Sequence, residues 1–392
     1  MPSRPRHVLR VAALTLCAVV ALTACQPTPP PPVAKAFTFT GSGWGHGVGM
    51  SQYGMLGMAQ AGRSYGQILG TYYPGTTLVT RAPTDNLRVL LAERAGALTF
   101  VTGGATTFGG AGSVASAGRS VRVERSGSSL KLSGALDTTV GSITITWTGD
   151  LHIAELAKKY RYGSIVVRAD PNGGVRAVVQ GLTMNRYLYG SAEVPALWHT
   201  HALRAQVVAA RTFAQKRRDS RVGSGLDFDL LSTVTDQVYS GSTHEHPRWV
   251  EAVNATNAQF LTYQGKLIDA VYSSSNGGYS ESSAYVWGGN VPYLVARRDQ
   301  WDGVASNPNH RWTRTYTAAQ IGSWFGVGTA REVVIGSGRG ASGRVDRARI
   351  RVVGTTGSKE MSGNEFRATI NKRNPARTSQ LLSTRFDVKV VK

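Results

Sequence analysis

The sequence predicts an α+β fold: a mixed, mainly antiparallel β-sheet scaffold with a few helices around a cleft. Three observations predict it. Six short apolar runs between residues 86 and 180, punctuated by Gly and Ser clusters, read as strands. One strong helical stripe follows, with Leu203, Val207, Ala210 and Ala214 at i, i+4, i+7 and i+11. Beyond it, short capped helices and strands alternate as far as Lys392.

Residues 1–24 read as a signal segment. Arg4, Arg6 and Arg10 form a basic start, and the apolar run Val11–Leu22 is too short to cross a bilayer as a stable helix. Leu22-Thr-Ala-Cys25 resembles the lipobox of bacterial lipoproteins, which implies cleavage before Cys25 and diacylation of its sulfur; the alternative is an ordinary secretory signal with an accidental cysteine. Residues 25–36 form a tether whose five prolines make it stiff and extended. Cys17 lies inside the signal, so Cys25 is the only thiol of the processed chain. No internal disulfide, thiolate zinc site or cysteine nucleophile follows it. The net charge of +21 becomes +18 once the three signal arginines are removed. That favours an anionic partner. The arginines are scattered, with no basic helix or aromatic–basic motif, so nucleic acid is set aside in favour of anionic wall polymers or the anionic membrane face.

Residues 37–80 form a Gly-rich signature segment. Eight glycines precede Tyr65, beginning Gly41-Ser-Gly-Trp-Gly-His-Gly-Val-Gly49, and they display one indole, Trp44, and one imidazole, His46. A phosphate loop is disfavoured because its lysine is missing. Ser51 can cap a helix that ends near Gly62, and Ser64 and Gln67 stand at capping-box spacing before a second helix stopped at Tyr73-Pro74. Residues 86–180 form a β-rich lobe, barrel-like or sandwich. Its strands are Leu87–Leu91, Leu98–Val101, Val121–Arg125, Leu130–Leu132, Ile143–Trp147 and Ile165–Arg168, with Gly103–Gly134 as an insertion. Residues 181–392 form the remaining core. In it a helix runs from His201 to about Arg217, with another near Pro247–Thr256. Strands Phe260–Tyr263 and Lys266–Tyr272 flank a Gln264-Gly265 turn, and Thr317 and Gln320 box a helix to Phe325. Three further strands are expected at Glu332–Ile335, Ala348–Val353 and Phe386–Val391.

Several of these stretches together resemble the SpoIID/LytB family of bacterial cell-wall proteins, which holds a sporulation protein and an amidase enhancer. They are Gly43-Trp-Gly-His-Gly-Val-Gly-Met-Ser-Gln-Tyr-Gly54, Gly57–Gly62, Tyr72-Tyr-Pro-Gly-Thr76, Tyr187–Trp198 with Ala202–Ala214, Gln237-Val-Tyr-Ser-Gly241 and Ser273–Glu281. The resemblance covers most of 37–100 and 180–392. Departures are Val194 for the family's methionine, Phe213 for tyrosine, Ser280 for threonine and a shorter spacer before Glu193. In sporulation members the Gly-rich segment lies near the end of the domain; here it comes first, so the fold is expected to be SpoIID-like in permuted order. A stretch like Leu382–Val390 would ordinarily run straight into one like Phe37–Gly45, as in a hairpin cut at its turn. Phe37–Thr40 and Phe386–Val390 are therefore expected to pair antiparallel.

The chemistry narrows to one carboxyl. Glu193 sits in an apolar frame, Ala192 before and Val194-Pro195 after, and partial burial raises a carboxyl pKa toward what a glycosidic oxygen needs from a general acid. The alternative is a glutamate bound to backbone amides at a helix entrance. The resemblance implies that Glu193 is the acid and base of a lytic transglycosylase acting on peptidoglycan glycan strands. Such an enzyme needs no second carboxylate at hydrolase spacing. The other implied reading is a non-catalytic enhancer of a cell-wall amidase. Substrate contacts are expected from Trp44 as a stacking face and from His46 and Gln52 as hydrogen-bonding groups. Arg211 would grip the lactyl carboxyl or form an internal salt bridge, and Tyr239, Ser273, Ser274 and Ser275 would line the cleft. His199-x-His201 and His244-x-His246 could each offer two imidazoles to zinc, but the family's cysteine ligands have no counterpart, and no metal or cofactor is expected. The location that follows is extracytoplasmic, lipid-anchored and facing the wall.

Overall fold

The computed structural model describes residues 1, 34–303 and 307–392. The signal segment past residue 1, Cys25 and the tether as far as residue 33 lie outside the described residues.

Alternation builds the lobe after residue 86. Val121 and Val123 on one strand and Leu130 and Leu132 on the next are buried, while Arg122 and Lys131 between them are exposed. That period of two gives each strand one wet and one dry face. The six expected strands all form, and others, among them the eight-residue Val175–Leu182, join them in two open sheets. A six-stranded sheet runs Thr138–Val140, Ser129–Gly134, Ser120–Ser126, Ala97–Val101, Leu151–Ile153, Lys158–Tyr160. A seven-stranded sheet runs Leu230–Leu231, Leu87–Ala95, Val175–Leu182, Ser164–Ala169, Ser142–Trp147, Thr106–Phe108, Gly112–Val114. Phe100 and Val121 from the first share a core with Phe108, Ile145 and Ile165 from the second, which makes the lobe a sandwich. Gly103–Gly134 is not an appendage: two of its strands enter each sheet.

Eight helices stand among the described residues: α1 (Gln52–Gln60), α2 (Tyr65–Tyr72), α3 (Met184–Tyr189), α4 (Thr200–Arg221), α5 (Pro247–Ala255), α6 (Ser283–Trp287), α7 (Ala318–Phe325) and α8 (Gly363–Arg373). The Ser51 side chain caps α1, and Gly62 lies just past its end at φ +79°. Reciprocal capping boxes form at Ser64/Gln67 on α2 and Thr317/Gln320 on α7. All four stripe residues of α4 are buried. Gln264 and Gly265 both take positive φ, the requirement of a tight two-residue hairpin turn. The expected strand after it breaks. Lys266–Leu267 pairs with Gln259–Tyr263, whereas Tyr272–Ser273 crosses to pair in parallel with Met50–Ser51. That crossing ties the signature segment to the core after residue 181.

The first and last strands of the described residues meet in one sheet. Ala36–Gly41 pairs antiparallel with Phe386–Val391 on one side and with Trp312–Thr317 on the other. Phe37 faces Val390, and Phe39 faces Val388. Phe37, Phe39 and Phe386 enter a second core with Phe325, Phe366 and Ile350, beneath the sheet Ala330–Ile335, Arg349–Gly354, Ser358–Ser362.

Candidate active site

The Gly-rich loop is woven onto the strand that follows residue 270. Trp44 donates its N–H to Ser275 O at 2.8 Å, Met50 to Val271 O at 3.2 Å and Tyr53 to Ser274 O at 3.1 Å. Such contact leaves no room for side chains. A Cβ on Gly49 would stand 2.2 Å from Val271 O, and one on Gly47 2.2 Å from Arg344 Nη2; both residues also have φ +71°. Within the loop His46 Nδ1 accepts the Val48 N–H at 3.0 Å, and its ring lies 5.1 Å from the ring of Trp287, which is half exposed. Burial pushes the imidazole down to about 4, and the neighbouring Arg344 guanidinium adds to the shift. His46 is therefore neutral at physiological pH.

Glu193 stands between α3 and α4, partly buried. Its Oε1 accepts the backbone N–H of Val238 at 2.7 Å. Burial raises its pKa, while hydrogen bonds from the Tyr272 hydroxyl and the Val238 amide pull the other way. Tyr272 in turn accepts from Gln237 Nε2 at 2.7 Å, and Gln237 Oε1 accepts from the Tyr187 hydroxyl at 3.0 Å. A chain of buried polar groups thus fixes the tyrosine that faces the acid. Tyr272 also joins the two halves of the site: its hydroxyl acts on Glu193, and its backbone runs beside Met50 and lies next to His46.

Other expected residues have different occupations. Arg211 is fully buried, and its guanidinium donates to Thr256 O at 2.7 Å and Val253 O at 3.0 Å, the carbonyls that close α5. It binds neither a substrate carboxyl nor an internal acid; it stabilises the negative end of a helix. Tyr239 is buried and stacks on Tyr187 at 5.3 Å, so it does not line the cleft. Ser273 Oγ accepts the Gly47 N–H, Ser274 Oγ accepts from Asn309 Nδ2, and Ser275 Oγ donates to the buried Asp302 at 2.8 Å. All three seat the loop rather than face a ligand. One face of Trp44 is covered by the Arg377 guanidinium, 3.9 Å from the ring centre. Gln52 opens α1 and is buried. In the His-x-His pairs, His199 caps α4 and His246 caps α5 through their side chains.

With this geometry in hand, relatives can be compared. The family described as Stage II sporulation protein matches residues 172–263, which carry Glu193, Gln237 and Val238. That match places a SpoIID domain within this chain. The chain is 40% identical over 129 residues to the amidase enhancer of Bacillus subtilis, covering 33% of this chain and 16% of that protein. It is 30% identical over 166 residues to stage II sporulation protein D of the same organism, covering 38% and 47%, and 29% identical over 177 residues to that of Bacillus amyloliquefaciens, covering 40% and 50%. The chain thus spans about half or less of the curated relatives it matches.

Sequence reasoning missed four groups at the site. Tyr272 ends a run that reads as a plain strand, immediately before the Ser273–Ser275 motif. Gln237 heads the Gln-Val-Tyr-Ser-Gly motif, in which the tyrosine drew attention and the glutamine does the work. Trp287, next to His46, is half exposed and supplies a more open aromatic face than Trp44, and Trp198 lies 5.1 Å from Tyr53.

Proposed function

We propose that this protein is a peptidoglycan lytic transglycosylase with Glu193 as its single acid and base. The observation that carries the reading is a partly buried carboxyl whose pKa is raised by desolvation and trimmed by two donors. Such a group holds its proton to higher pH than an exposed carboxyl does and can also lose it. Glu193 gives its proton to the oxygen between N-acetylmuramic acid and N-acetylglucosamine. The bond from the muramoyl C1 breaks, and the glucosamine leaves with a free hydroxyl. The carboxylate then takes the proton of the muramoyl 6-hydroxyl as that oxygen bonds to C1, closing a 1,6-anhydro ring. No water is consumed, and Glu193 ends protonated again. The Tyr272 hydroxyl stabilises the carboxylate between the two halves. Trp287 and Trp198 offer aromatic faces for sugar rings.

The test is digestion of purified glycan strands, read for anhydromuramoyl ends. Glu193→Gln abolishes them, while its amide still accepts the Val238 N–H. The raised pKa means that an ionised Glu193 weakens the fold, and that this cost vanishes as pH falls below the unfolded carboxyl value. The Gln variant therefore melts no lower than the parent at neutral pH. Retained products in Glu193→Gln remove it from the mechanism.

A second reading rests on the 40% identity to the amidase enhancer: a wall-binding protein that stimulates a separate amidase. Stimulated amidase turnover without anhydromuramoyl products supports it. In either reading the protein works outside the cytoplasm on the wall, held by lipid at Cys25 and drawn to anionic wall polymers by its +18 charge. No helix among the described residues is long and apolar enough to cross a membrane.

A further inference from the structure

His46 uses both of its ring nitrogens inside the fold. Nδ1 accepts the Val48 N–H at 3.0 Å, so the proton of the neutral ring sits on Nε2. The imidazole also hydrogen-bonds the backbone of Tyr272, and that bond favours the protonated ring. Only an acceptor has this effect, so the partner is the Tyr272 carbonyl and the donor is Nε2–H. The loop holds the ring there from both sides. Gly47 donates to Ser273 Oγ at 3.3 Å, its carbonyl accepts the Glu281 N–H at 2.8 Å, and Met50 stands beside Tyr272 in the parallel pair. The indole of Trp287 packs on the ring, 5.1 Å away. The cations that the ring feels are Arg344 and Arg367. Both disfavour imidazolium, which has no lone pair left to accept from Val48. The neutral Nε2–H tautomer is the one form that serves both partners.

Tyr272 carries this arrangement to the acid. Its hydroxyl donates to Glu193 and accepts from Gln237 Nε2 at 2.7 Å. Its backbone pairing with Met50–Ser51 is two residues long, which leaves the direction of the phenol sensitive to any further tie on the same backbone. We propose that His46 is a positioning residue: through its bond to the Tyr272 carbonyl it aims the Tyr272 hydroxyl at Glu193. The use made of Glu193 as acid and base rests on the reading above. The one imidazole displayed by the Gly-rich loop then orients the site from within, in place of the sugar contact that its setting in the sequence implies. The loop's close seating on the strand after residue 270 acquires a purpose as well, since it brings the ring to Tyr272.

Two substitutions separate the two bonds. His46→Asn sets an amide oxygen where Nδ1 stands; it keeps the Val48 bond and is too short to reach Tyr272. His46→Gln sets an amide N–H where Nε2 stands and keeps the Tyr272 bond. The Glu193 carboxyl is titrated by NMR in the full chain with isotope-labelled glutamate, its signal assigned with Glu193→Gln, and pH–rate profiles are taken on purified glycan strands. In His46→Asn the Glu193 pKa and the alkaline limb move up, as they do in Tyr272→Phe, and kcat falls about tenfold or more with KM unchanged. His46→Gln stays close to the parent. The double variant His46→Asn with Tyr272→Phe matches Tyr272→Phe alone, because His46 acts through that hydroxyl. An unmoved Glu193 titration in His46→Asn overturns the proposal. So do equal effects in the two His46 variants, additive losses in the double variant, or a raised KM with kcat unchanged. Nitrogen NMR of the parent protein needs no substitution: the His46 proton is expected on Nε2 and slow to exchange, and a proton on Nδ1 overturns the proposal even where a variant fails to fold. The carboxyl titration needs no turnover. A parent that yields no anhydromuramoyl ends, while His46→Asn still raises the Glu193 pKa, sinks the transglycosylase reading and leaves the role of His46 standing.

Discussion

Replacing Tyr272 with phenylalanine removes a donor that lowers the Glu193 pKa, so the carboxyl should titrate higher. In a mechanism that starts from the protonated acid, the alkaline limb of the pH–rate profile moves to higher pH. The kcat at neutral pH falls, because the carboxylate formed midway loses its hydrogen bond. The variant also leaves Gln237 Nε2 short of a partner, at a cost of about 1–3 kcal/mol. An unshifted alkaline limb would place Tyr272 outside the mechanism. His46 titrates in the opposite sense. Its folded value of about 4 lies below the ordinary 6.5, so the unfolded chain binds the extra proton first. Stability should rise with pH between about 4 and 6.5, by roughly 2–3 kcal/mol in all. His46→Asn, whose amide oxygen can still accept the Val48 N–H, should flatten that part of the stability–pH curve in denaturant titrations. The partial burial of Glu193 was legible in the sequence because its apolar frame is local. Tyr272 was not, because its role depends on Gln237, Val238 and Glu193 arriving from other segments. Arg211 misled for the same reason: helical spacing shows which face it shares, not that α5 ends against it.

Elements were legible where their signals are local. The boxes at Ser64/Gln67 and Thr317/Gln320 announced two helix starts, and the Gln264-Gly265 turn announced a hairpin. The same Ser-x-x-Glu pattern at Ser362/Glu365 boxes α8, a helix that was not anticipated. Strands of two or three residues carry no period to read, and this hid Met50–Ser51 and Tyr272–Ser273, the pairing that holds the site together. Two glycines test how much that pairing depends on close approach. Gly62 and Gly47 have similar φ, +79° and +71°, but a Cβ at Gly62 meets nothing within 4 Å, whereas one at Gly47 strikes Arg344. Gly62→Ala should cost about 1 kcal/mol from backbone strain alone. Gly47→Ala should cost several-fold more in thermal denaturation, and it should lift the loop off Ser273. Equal losses would mean that the loop does not rest on Arg344.

At the scale of the whole molecule, the pairing of the first and last described strands explains why a segment displaced in sequence still packs on the core after residue 181. In the antiparallel pair Ala36 stands opposite Val391, and Gly41 opposite Phe386. The end of one strand thus meets the start of the other, as in a hairpin without its turn. The strand alternation made this pairing legible, because Phe37, Phe39, Phe386 and Val388 had to share one buried face. The central place of Ala36–Gly41, with Trp312–Thr317 on its far side, was not legible: Trp312, Arg314 and Tyr316 share the inward face of that strand, and the arginine interrupts its apolar pattern in sequence. A circular permutant follows from the geometry. Joining Val391 to Ala36 through Asn-Gly supplies a turn that favours the right-handed twist of a hairpin. New ends can be opened at Gly127–Ser128, an exposed tight turn between Ser120–Ser126 and Ser129–Gly134. The two core clusters and the crossing of Tyr272–Ser273 beside Met50–Ser51 are untouched by either change. The permutant should melt within a few degrees of the parent and match it in every glycan assay. Failure to fold would mean that Ala36–Gly41 needs the chain before it, or that the cut hairpin of the six-stranded sheet cannot spare its turn. A second permutant, with the same joint and its ends opened in the exposed turn 222–225, separates those causes. If that one folds, the joint is sound and the Gly127 turn is at fault; if both fail, the two strands are neighbours that cannot be made a hairpin.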